Sequence, residues 1–549
     1  MAEKIYDFFI AHAANIHDNI VDSNNHNYLE KIPRNQKSMF FSPITESEIS
    51  RYIASMKKEG NIYDVSRRFL KLCSNKVSKI LCNLFNDCIR VGKYPDYFKT
   101  AGITPVYKKG ASDIIANYRP VAVLPNVSKI FENVIHDRIN SFFNSCCLLS
   151  ENQYGYRKQK NTELAIFTLI ERVLPAFENK CYAVCVFLDF SACFDTISRS
   201  LLLDKLNRYG VRGMTLDFLS SYFEDRKQYV NYSGKKSSTV HQKLGVIQGS
   251  KCGPLFYDIY TCDISNVCQN EEYIMYADDT VLMYVGENLQ SLVSTVNSKL
   301  EKVVDWCRFN KLSLNPKKCN FMVLTNKNVN FDPVILLENE PLERVVDTKY
   351  LGIYLDENLK YHKQVNVIGN KLSRLSGISY RLKEHLNLSA AKNFYYSCVY
   401  SAVTYCICIW GGILQCTQRG TCVINLHEKC VKNIFGKFVP GNLCPFKFIK
   451  ILKLKDIHRF CASIYMFKII NLNSCPSLQN NMTLREPEHS HFTRNRDSLV
   501  TPFPRVDNVK INYKYQCISI WNALPNHVKS ETSLPKFKKS LSKYFLELY

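Results

Sequence analysis

The sequence predicts an α+β fold in which a mixed segment of strands and helices is followed by a mainly helical region. Between about residues 100 and 360, short runs rich in β-branched and aromatic residues are interleaved with amphipathic helical patterns. The order lacks a regular β-α-β repeat, which favours an α+β sheet domain over a doubly wound one. After residue 365 helical patterns dominate, with basic runs at Lys371–Lys383 and Lys536–Lys543.

The individual elements follow from the spacing of apolar residues. Before residue 100 the apolar spacing from Val77 to Phe85 is helical, and Val91-Gly-Lys-Tyr-Pro ends that helix. Strands are predicted at Ile103–Val106, Ala183–Asp189, Tyr273–Ala277 with Val281–Val285, and Tyr350–Leu355. Helices are predicted at Lys129–Phe143, Glu163–Phe177, Leu201–Tyr209 and Leu289–Cys307.

The charge balance indicates a polyanionic partner. The 549 residues include 72 Lys and Arg against 49 Asp and Glu, a formal charge of +23. Basic side chains that neutralise phosphates release counterions, so such a surplus favours binding to nucleic acid. Charge alone is equally compatible with an acidic membrane surface or with a merely soluble basic protein.

The cysteines and the uncharged stretches bear on the compartment. The 23 cysteines lack zinc-ligand spacing, and many lie inside apolar runs, so buried reduced thiols in an intracellular, reducing compartment are expected. The N-terminus shows no signal peptide. Residues 393–418 carry no charge, but their Tyr, Ser, Cys, Thr and Gly content favours a buried helix or helix pair over a membrane span.

Two acidic segments could carry chemistry. An apolar strand ends at Asp189, a position that is usually a turn or helix-cap residue when taken alone. Two apolar runs flank Asp278 and Asp279, which predicts a hairpin with both carboxylates at its tip. An ordinary Asp-Asp turn explains that segment equally well. Adjacent carboxylates repel each other, however, and a cation would relieve that repulsion.

Together the two segments resemble a polymerase palm, in which carboxylates on a central strand and a neighbouring hairpin hold two divalent ions about 4 Å apart. Tyr276-Ala277-Asp278-Asp279 after Leu188-Asp189-Phe190-Ser191 is similar to a reverse transcriptase, and the surrounding motifs are similar to the non-LTR (LINE-type) retrotransposon class of the jockey/CR1 kind. These motifs are Asn117-Tyr-Arg119-Pro-Val, Lys129-Ile-Phe-Glu132, Gln153-Tyr-Gly155-Tyr-Arg157 with Asn161-Thr162, Gly245-Val-Ile-Gln248-Gly249-Ser250-Lys-Cys-Gly253-Pro254-Leu255, Leu314-Asn315-Pro-Lys-Lys318-Cys, Tyr350-Leu351-Gly352 and Trp521-Asn-Ala-Leu524-Pro525.

The resemblance implies a right-hand polymerase of fingers, palm and thumb with an antiparallel palm sheet. It implies an RNA-directed DNA polymerase that uses an RNA template, a DNA primer and dNTPs, with Mg²⁺ or Mn²⁺ as cofactor. The expected divisions are a helical extension or linker at 1–88, the reverse transcriptase domain with fingers and palm at 89–359, a helical thumb-like region at 360–440, and a helical basic region at 441–549.

The same resemblance assigns roles to single residues. Asp189 and Asp278 would be the main metal ligands, with Asp279 as a secondary ligand or orienting group. Phe194 would exclude the 2′-hydroxyl of a ribonucleotide by a steric clash, although a core aromatic is the alternative. The remaining nucleotide contacts would come from Gln248 and Gly249 in the pocket, Arg119 with Lys108 or Lys109 on the triphosphate, and Lys318 as a general acid toward pyrophosphate.

Several alternatives stay open at this stage. Asp195 is expected to support the strand end rather than bind metal, and Lys108 and Lys109 are more often solvated charges. In the basic helical region, Tyr395, Tyr396 and Tyr400 would stack on bases or pack in the core. Three departures from the family pattern, Ile247 for Pro, Cys252 for Leu, and Ala192-Cys193 for Lys-Ala, leave the carboxylates in place.

The competing functions are a catalytically silent or domesticated nucleic-acid-binding relic and a group II intron-type maturase. The Gln-Gly-Ser and Leu-Asn-Pro-Lys-Lys contexts disfavour the maturase. About 90 residues precede the fingers, which leaves no room for a nuclease domain. We therefore expect no DNA cleavage by this chain, dependence on a nick or a separate endonuclease, no membrane partner, and action in the nucleus.

Overall fold

The computed structural model describes residues 2–23, 27–57, 65–441, 443–472, 499–501 and 512–549. Its N-terminal part is helical, and short polar side chains start two of these helices. Thr45 Oγ1 accepts a hydrogen bond from Glu48 N at 3.3 Å, and the Glu48 carboxylate accepts one from Thr45 N at 3.1 Å. The helices are α1 (Ala2–Asp18), α2 (Tyr28–Lys31), α3 (Glu46–Ser55), α4 (Arg67–Leu72) and α5 (Ser74–Val91).

Sixteen strands lie between residues 100 and 356 among the described residues. In chain order they are β1 (Thr100–Tyr107), β2 (Tyr118–Val123), β3 (Tyr182–Leu188), β4 (Phe190–Ser191), β5 (Lys227–Tyr232), β6 (Lys235–Lys236), β7 (Val240–His241), β8 (Tyr273–Tyr276), β9 (Asp279–Gly286), β10 (Ser313–Leu314), β11 (Asn320–Leu324), β12 (Leu336–Leu337), β13 (Glu340–Pro341), β14 (Glu343–Arg344), β15 (Asp347–Tyr350) and β16 (Ile353–Asp356).

The helices of this segment are interleaved with the strands, and short 3₁₀ turns connect several of them. The helices are α6 (Asn126–Ser145), α7 (Thr162–Glu178), α8 (Arg199–Arg208), α9 (Met214–Phe223), α10 (Gly253–Thr261) and α11 (Leu289–Phe309). Asn161 begins α7 because its Oδ1 accepts a hydrogen bond from Leu164 N at 2.8 Å, and Asn288 begins α11 in the same way.

The central sheet has the order β14-β11-β3-β9-β8, and its β11, β3, β9 and β8 are paired antiparallel. Both faces of this sheet are buried, which follows from alternation of apolar side chains along each strand. Val184 and Val186 of β3 face one core, which also takes in α5, α6, α10 and α11. Ala183 and Cys185 face the other, which takes in α7 and the C-terminal helices.

A second sheet stands beside the first, with the order β2-β1-β5-β6 and β7 paired to β5. Its β1–β2 pair is antiparallel and its β1–β5 pair is parallel. Helix α1 packs on this sheet through Ile5 and Tyr6, which contact a small apolar cluster that includes Ile103 and Val230. The fold is therefore mixed α and β with antiparallel and mixed sheets.

Beyond β16 the described residues form helices and their connections. The helices are α12 (His362–Leu382), α13 (Leu388–Phe394), α14 (Ser401–Thr404), α15 (Ile407–Trp410), α16 (Gln418–Phe435), α17 (Pro445–Ile449), α18 (Leu454–Leu472), α19 (Tyr513–Asn522), α20 (Asn526–Lys529) and α21 (Leu534–Glu547), with a π-helical turn at Tyr395–Tyr400. The predicted helical C-terminal region is present where the structure describes it.

The uncharged stretch after residue 393 is bent and buried. All four residues of α15 are buried in the second core. Across the described ranges no single helix is long and apolar enough to cross a membrane, and only the pair Leu388–Thr404 and Ile407–Gln415, bent by 50°, reaches that length and composition together. The cysteines that the structure describes are all free thiols, as expected.

One predicted strand is wrong. The segment Tyr350–Leu355 is a hairpin of β15 and β16, with Tyr350 paired to Ile353. The chain reverses there because Leu351 and Gly352 adopt positive φ values of 44° and 88°. The other predicted strands and helices are present, with ends that differ by a few residues, such as α6 beginning at Asn126.

Candidate active site

The three predicted aspartates lie at one end of the central sheet. Leu188, the last residue of β3, pairs with Thr280 of β9, and Asp189 follows it directly. Ala277 and Asp278 form the tight turn between β8 and β9, and Asp279 begins β9, where it pairs with Tyr276. Antiparallel pairing therefore brings the end of β3 next to the tip of the β8–β9 hairpin.

The carboxylates interact electrostatically. The pKa of Asp279 is raised to about 6, first by partial burial and then by the negative charges of Asp278 and Asp189. Arg119 and Lys108 oppose this rise, so both cations lie within electrostatic range of the carboxylates. Burial, together with the positive charges of Arg119, Lys318 and Lys109, lowers the pKa of Lys108. The site thus combines a cluster of like charges with cations at its edge.

Lys318 is held against Asp189 by the local backbone. Asn315 N donates to Asp189 O at 2.9 Å, and Asp189 N donates to Cys319 Sγ at 3.3 Å. The turn between β10 and β11 is thereby fixed to the end of β3. Lys318 Nζ lies 3.2 Å from Asp189 Oδ1.

The carboxylates have the chemistry of a divalent-cation site that substrate would complete. Among the described residues, no group of three or more His, Cys, Asp or Glu side chains is arranged to hold a metal ion by itself, and this includes the three aspartates. Mg²⁺ is usually held by one or two carboxylates plus substrate phosphates rather than by an all-protein cage. Burial is the main cause of the raised pKa of Asp279, and the repulsion from Asp278 and Asp189 that adds to it is what a bound cation would relieve. The residues present therefore fit such an ion.

A large cavity lies beside these carboxylates. Its volume is about 1170 Å³, and it is bounded by the end of the central sheet, the second sheet and α1. The structure brings most of the predicted site residues to its wall, whereas Asp279 and Lys109 lie outside the lining. The predicted residues that line it are Lys108, Arg119, Asp189, Phe194, Gln248, Gly249, Asp278 and Lys318.

Phe194 belongs both to the core and to the cavity. Its ring stacks on the buried Tyr257 with centroids 4.8 Å apart, and Tyr156 meets it edge-on at 6.3 Å. Asp195 follows at the cavity wall, where burial raises its pKa to about 7. Gln248 Nε2 donates to Asp195 Oδ2 at 3.4 Å, which links the end of β3 to the Gln248-Gly249 loop.

A glycine is required at position 249 because the backbone of β2 packs closely against it. Its φ is +109°, and a Cβ there would lie 2.6 Å from Ala122 O. Ala122 N donates to Gln248 O at 2.7 Å, so this loop is fixed to β2 of the second sheet. From the sequence, the glycine was expected to allow close approach of a nucleotide. In the structure, the backbone that approaches it closely is that of β2.

Two groups of lining residues were missed from the sequence. Tyr156 lines the cavity with a half-exposed ring and a φ of 56°, and the Gln153–Arg157 motif had been noted only as a resemblance. Helix α1 contributes residues such as Phe9 and His12 to the opposite wall. The amphipathic pattern of α1 could have indicated a packed helix. The local sequence does not, however, indicate that the helix packs on the second sheet.

The chain is similar in sequence to proteins of known class. Residues 106–355 match the family described as reverse transcriptase (RNA-dependent DNA polymerase). A probable RNA-directed DNA polymerase from transposon BS of Drosophila melanogaster is 30% identical over 400 residues, which cover 68% of this chain and 43% of that protein.

Two further relatives are of the same kind. The RNA-directed DNA polymerase from mobile element jockey of Drosophila melanogaster is 27% identical, over 68% of this chain and 42% of that protein. A probable RNA-directed DNA polymerase from transposon X-element of the same organism is 26% identical, over 73% of this chain and 45% of that protein. The chain therefore spans less than half the length of these relatives. Residues 106–355 form a reverse transcriptase domain, and the chain is similar to the RNA-directed DNA polymerases of non-LTR, LINE-type retrotransposons.

Proposed function

We propose that this chain is an RNA-directed DNA polymerase that copies an RNA template into DNA by two-metal-ion nucleotidyl transfer. Asp189, Asp278 and Asp279 hold the metal ions, and Asp189 and Asp278 are the main ligands. The substrates are dNTPs and a DNA primer paired to the RNA. The whole protein's activity, substrates and partners belong to this proposal, because its relatives extend well beyond the matched region.

The observation that carries the proposal is that Asp189 lies next to Asp278 and Asp279 of the β8–β9 hairpin, at one end of the central sheet. The pairing of Leu188 with Thr280 brings these residues together from segments about 90 positions apart. A structural turn needs no second carboxylate-bearing strand end beside it. Mutual repulsion of the carboxylates costs free energy in the absence of a cation, which favours a binding role over a structural one.

Bound divalent ions would activate the primer 3′-hydroxyl and neutralise the leaving pyrophosphate. The chain's own residues account for the rest of the site. Arg119 and Lys108 would neutralise the triphosphate, and their position on the cavity wall within electrostatic range of Asp279 supports this role. Lys318 donates a proton toward the leaving group, and Gln248 with Gly249 forms the pocket wall beside Phe194.

The fold supports a right-hand assignment of the parts. We assign the central sheet with its flanking helices to the palm and the second sheet to the fingers, within residues 89–359. Residues 360–440 form a thumb-like region, because α12 and α16 pack together and carry basic side chains such as Lys371, Arg374 and Lys429. Residues 1–88 are assigned to the N-terminal extension. The described residues of 441–549 are assigned to a helical basic region, and the rest of that range lies outside the described residues. Contacts from these basic side chains would position a duplex without reading its sequence.

The test is primer extension by the purified chain on an RNA template annealed to a DNA primer. We expect dNTP incorporation with Mg²⁺ or Mn²⁺ and none with a chelator. Failure to extend any primer in either metal would contradict the enzyme proposal and favour a catalytically silent nucleic-acid-binding protein.

A further inference from the structure

A short segment before α7 runs alongside the strand that leads into the catalytic turn. Met275 N, in β8, donates to Asn152 O at 2.9 Å, and Tyr154 N donates to Met275 O at 2.7 Å. Gln153 and Met275 thus form an isolated parallel bridge. The residue between these two backbone bonds is Gln153, and the strand it accompanies ends two residues before Asp278.

Side chains from α7 and the loop fix this segment in place. Arg172 donates from its guanidinium to Tyr273 O at 2.9 Å and to Asn152 Oδ1 at 2.7 Å. Asn152 Nδ2 donates to Asn270 O at 2.6 Å, in the 3₁₀ turn that precedes β8. The segment is therefore attached to β8 at both of its ends, and it presents the Gln153 side chain from a fixed backbone.

The Gln153 amide oxygen reaches the turn itself. Oε1 accepts from Gly155 N at 2.8 Å and from Ala277 N at 3.0 Å. Ala277 directly precedes Asp278 and has a φ of 57°, in the left-handed region that is unfavourable for a residue with a side chain. A hydrogen bond to its N–H stabilises this conformation, on which the direction of the next residue depends.

Gly155 also contacts Ala277, and this contact requires a residue without a side chain. A Cβ at this position would lie 2.3 Å from Ala277 N and 2.9 Å from Ala277 Cα. The backbone at Gly155 therefore packs directly on the turn, and no other residue type fits there without moving it. Gln153 and Gly155 together contact Ala277 from the segment and limit its movement.

A purely structural role does not explain the choice of glutamine. Gln153 is 3% exposed, and its Nε2 is buried without a hydrogen-bond partner among the described residues. An amide nitrogen in that state destabilises the fold, so an apolar side chain of the same length would serve packing better. What the glutamine supplies at this position is Oε1, the oxygen that accepts a hydrogen bond from Ala277 N.

We propose that Gln153 is a positioning residue that acts through Asp278: its Oε1 holds Ala277 in the left-handed conformation that directs the Asp278 carboxylate toward the metal ions. This inference rests on the proposed function and deepens it. Gln153 touches neither the metal nor the substrate. Its loss therefore weakens metal binding and turnover while duplex binding stays intact.

The test compares three variants of the full chain. Gln153→Met keeps the length and removes the acceptor, whereas Gln153→Glu keeps an acceptor oxygen. Asn86→Leu is the matched control: Asn86 Oδ1 also accepts a backbone N–H, from Ile44 at 2.8 Å, but in the N-terminal helices. Mn²⁺ affinity is measured by electron paramagnetic resonance without nucleotide, kcat and KM by primer extension, and duplex affinity by fluorescence anisotropy.

Gln153→Met is expected to lose about 10–100-fold in Mn²⁺ affinity and in kcat, the loss typical of removing a partner that orients a ligand, with duplex affinity unchanged. Gln153→Glu is expected to lie closer to wild type than Gln153→Met on both measures. Unchanged Mn²⁺ affinity in Gln153→Met, an equal loss in Asn86→Leu, or no advantage of Glu over Met would overturn the role. A wild-type chain that binds Mn²⁺ but does not extend primers would contradict the proposed function alone, since metal affinity is read without polymerisation.

Discussion

Lys318 Nζ lies 3.2 Å from Oδ1 of Asp189, the carboxylate that the proposed function assigns to a metal ion. Both side chains are well exposed, at 60% and 40% of their surface, so the ion pair is weak and exchangeable. Under the proposed function, a metal ion bound at Asp189 would release Lys318 from this pair, and the lysine could then act as the general acid toward pyrophosphate.

Replacing Lys318 should therefore separate metal binding from turnover. In Lys318→Met, Asp189 loses a competing cation, and Mn²⁺ is expected to bind about 2–5-fold more tightly, in line with the energy of an exposed pair. Nucleotide incorporation is expected to fall by about 10²-fold because the general acid is lost. Lys317→Met removes the neighbouring exposed charge and serves as the control in both assays. Weaker Mn²⁺ binding, or incorporation equal to that of the control, would contradict this account.

Phe194 should decide between deoxyribonucleotides and ribonucleotides. Its ring is fixed by stacking on Tyr257 and borders the cavity, so it cannot move away from a 2′-hydroxyl without breaking that contact. Phe194→Val is expected to reduce discrimination against rNTPs by about 10–200-fold, the range for a small change in pocket shape. The measurement is the ratio of kcat/KM for dNTP and rNTP in primer extension.

Tyr257→Phe is the control for this prediction, because it keeps the stacked ring and removes only the buried hydroxyl of Tyr257. Its discrimination ratio should match wild type. An unchanged ratio in Phe194→Val would assign Phe194 to the core alone.

The parts of the site that could be predicted from sequence are those encoded within one strand or one turn. Asp189 at a strand end and Asp278-Asp279 at a hairpin tip follow from apolar runs beside acids, and the resemblance of the ordered motifs brought them together. The hairpin at Leu351-Gly352 was missed because a positive φ at Leu351 depends on its surroundings.

Other contacts between distant segments could not be predicted from the sequence. The parallel pairing of Thr100 with Lys227, and the packing of α1 on the second sheet, depend on the tertiary fold rather than on local patterns. The same holds for the bond from Gln153 to Ala277, which spans 124 positions. The motif around Gln153 could be recognised in the sequence, but the hydrogen bond that Gln153 accepts from Ala277 N could not.

Asp195 should make stability depend on pH. Burial raises the pKa of its carboxyl in the folded protein to about 7, above its value of 3.8 in the unfolded chain. Between these values the folded state holds a proton that the unfolded state has lost, so stability falls as pH rises from about 4 to 7. Asp195→Asn is expected to be more stable than wild type by roughly 2 kcal/mol at pH 8, a value reduced from the full shift because the group borders the cavity. The advantage should shrink toward pH 5.

This prediction is checked by urea unfolding at pH 5, 6, 7 and 8. The difference in unfolding free energy between variant and wild type should grow with pH and level off above 7. A constant difference across the series would show that Asp195 ionises normally.

The buried ion pair between Lys205 and Asp263 should contribute to the free energy of unfolding and have no role in catalysis. Lys205 Nζ is fully buried and donates to Asp263 Oδ1 at 2.8 Å, to Tyr260 O at 2.6 Å and to Asn310 Oδ1. Asp263→Ala leaves the lysine buried without its partner and is expected to cost about 3–5 kcal/mol of unfolding free energy. The double variant Lys205→Met with Asp263→Leu should cost much less. Equal losses in the single and double variants, measured by urea unfolding, would show that the pair's charges contribute nothing.

The most direct test of the central claim is single-turnover primer extension on an RNA template with Mg²⁺ and dNTPs, comparing wild type with Asp278→Asn. Asp217→Asn, an exposed carboxylate on α9, is the control. The account predicts that Asp278→Asn loses at least about 10²-fold in rate, since a metal-bound transition state is stabilised by several kcal/mol, while Asp217→Asn matches wild type. Equal incorporation by wild type and Asp278→Asn would contradict the claim that this carboxylate holds the catalytic metal.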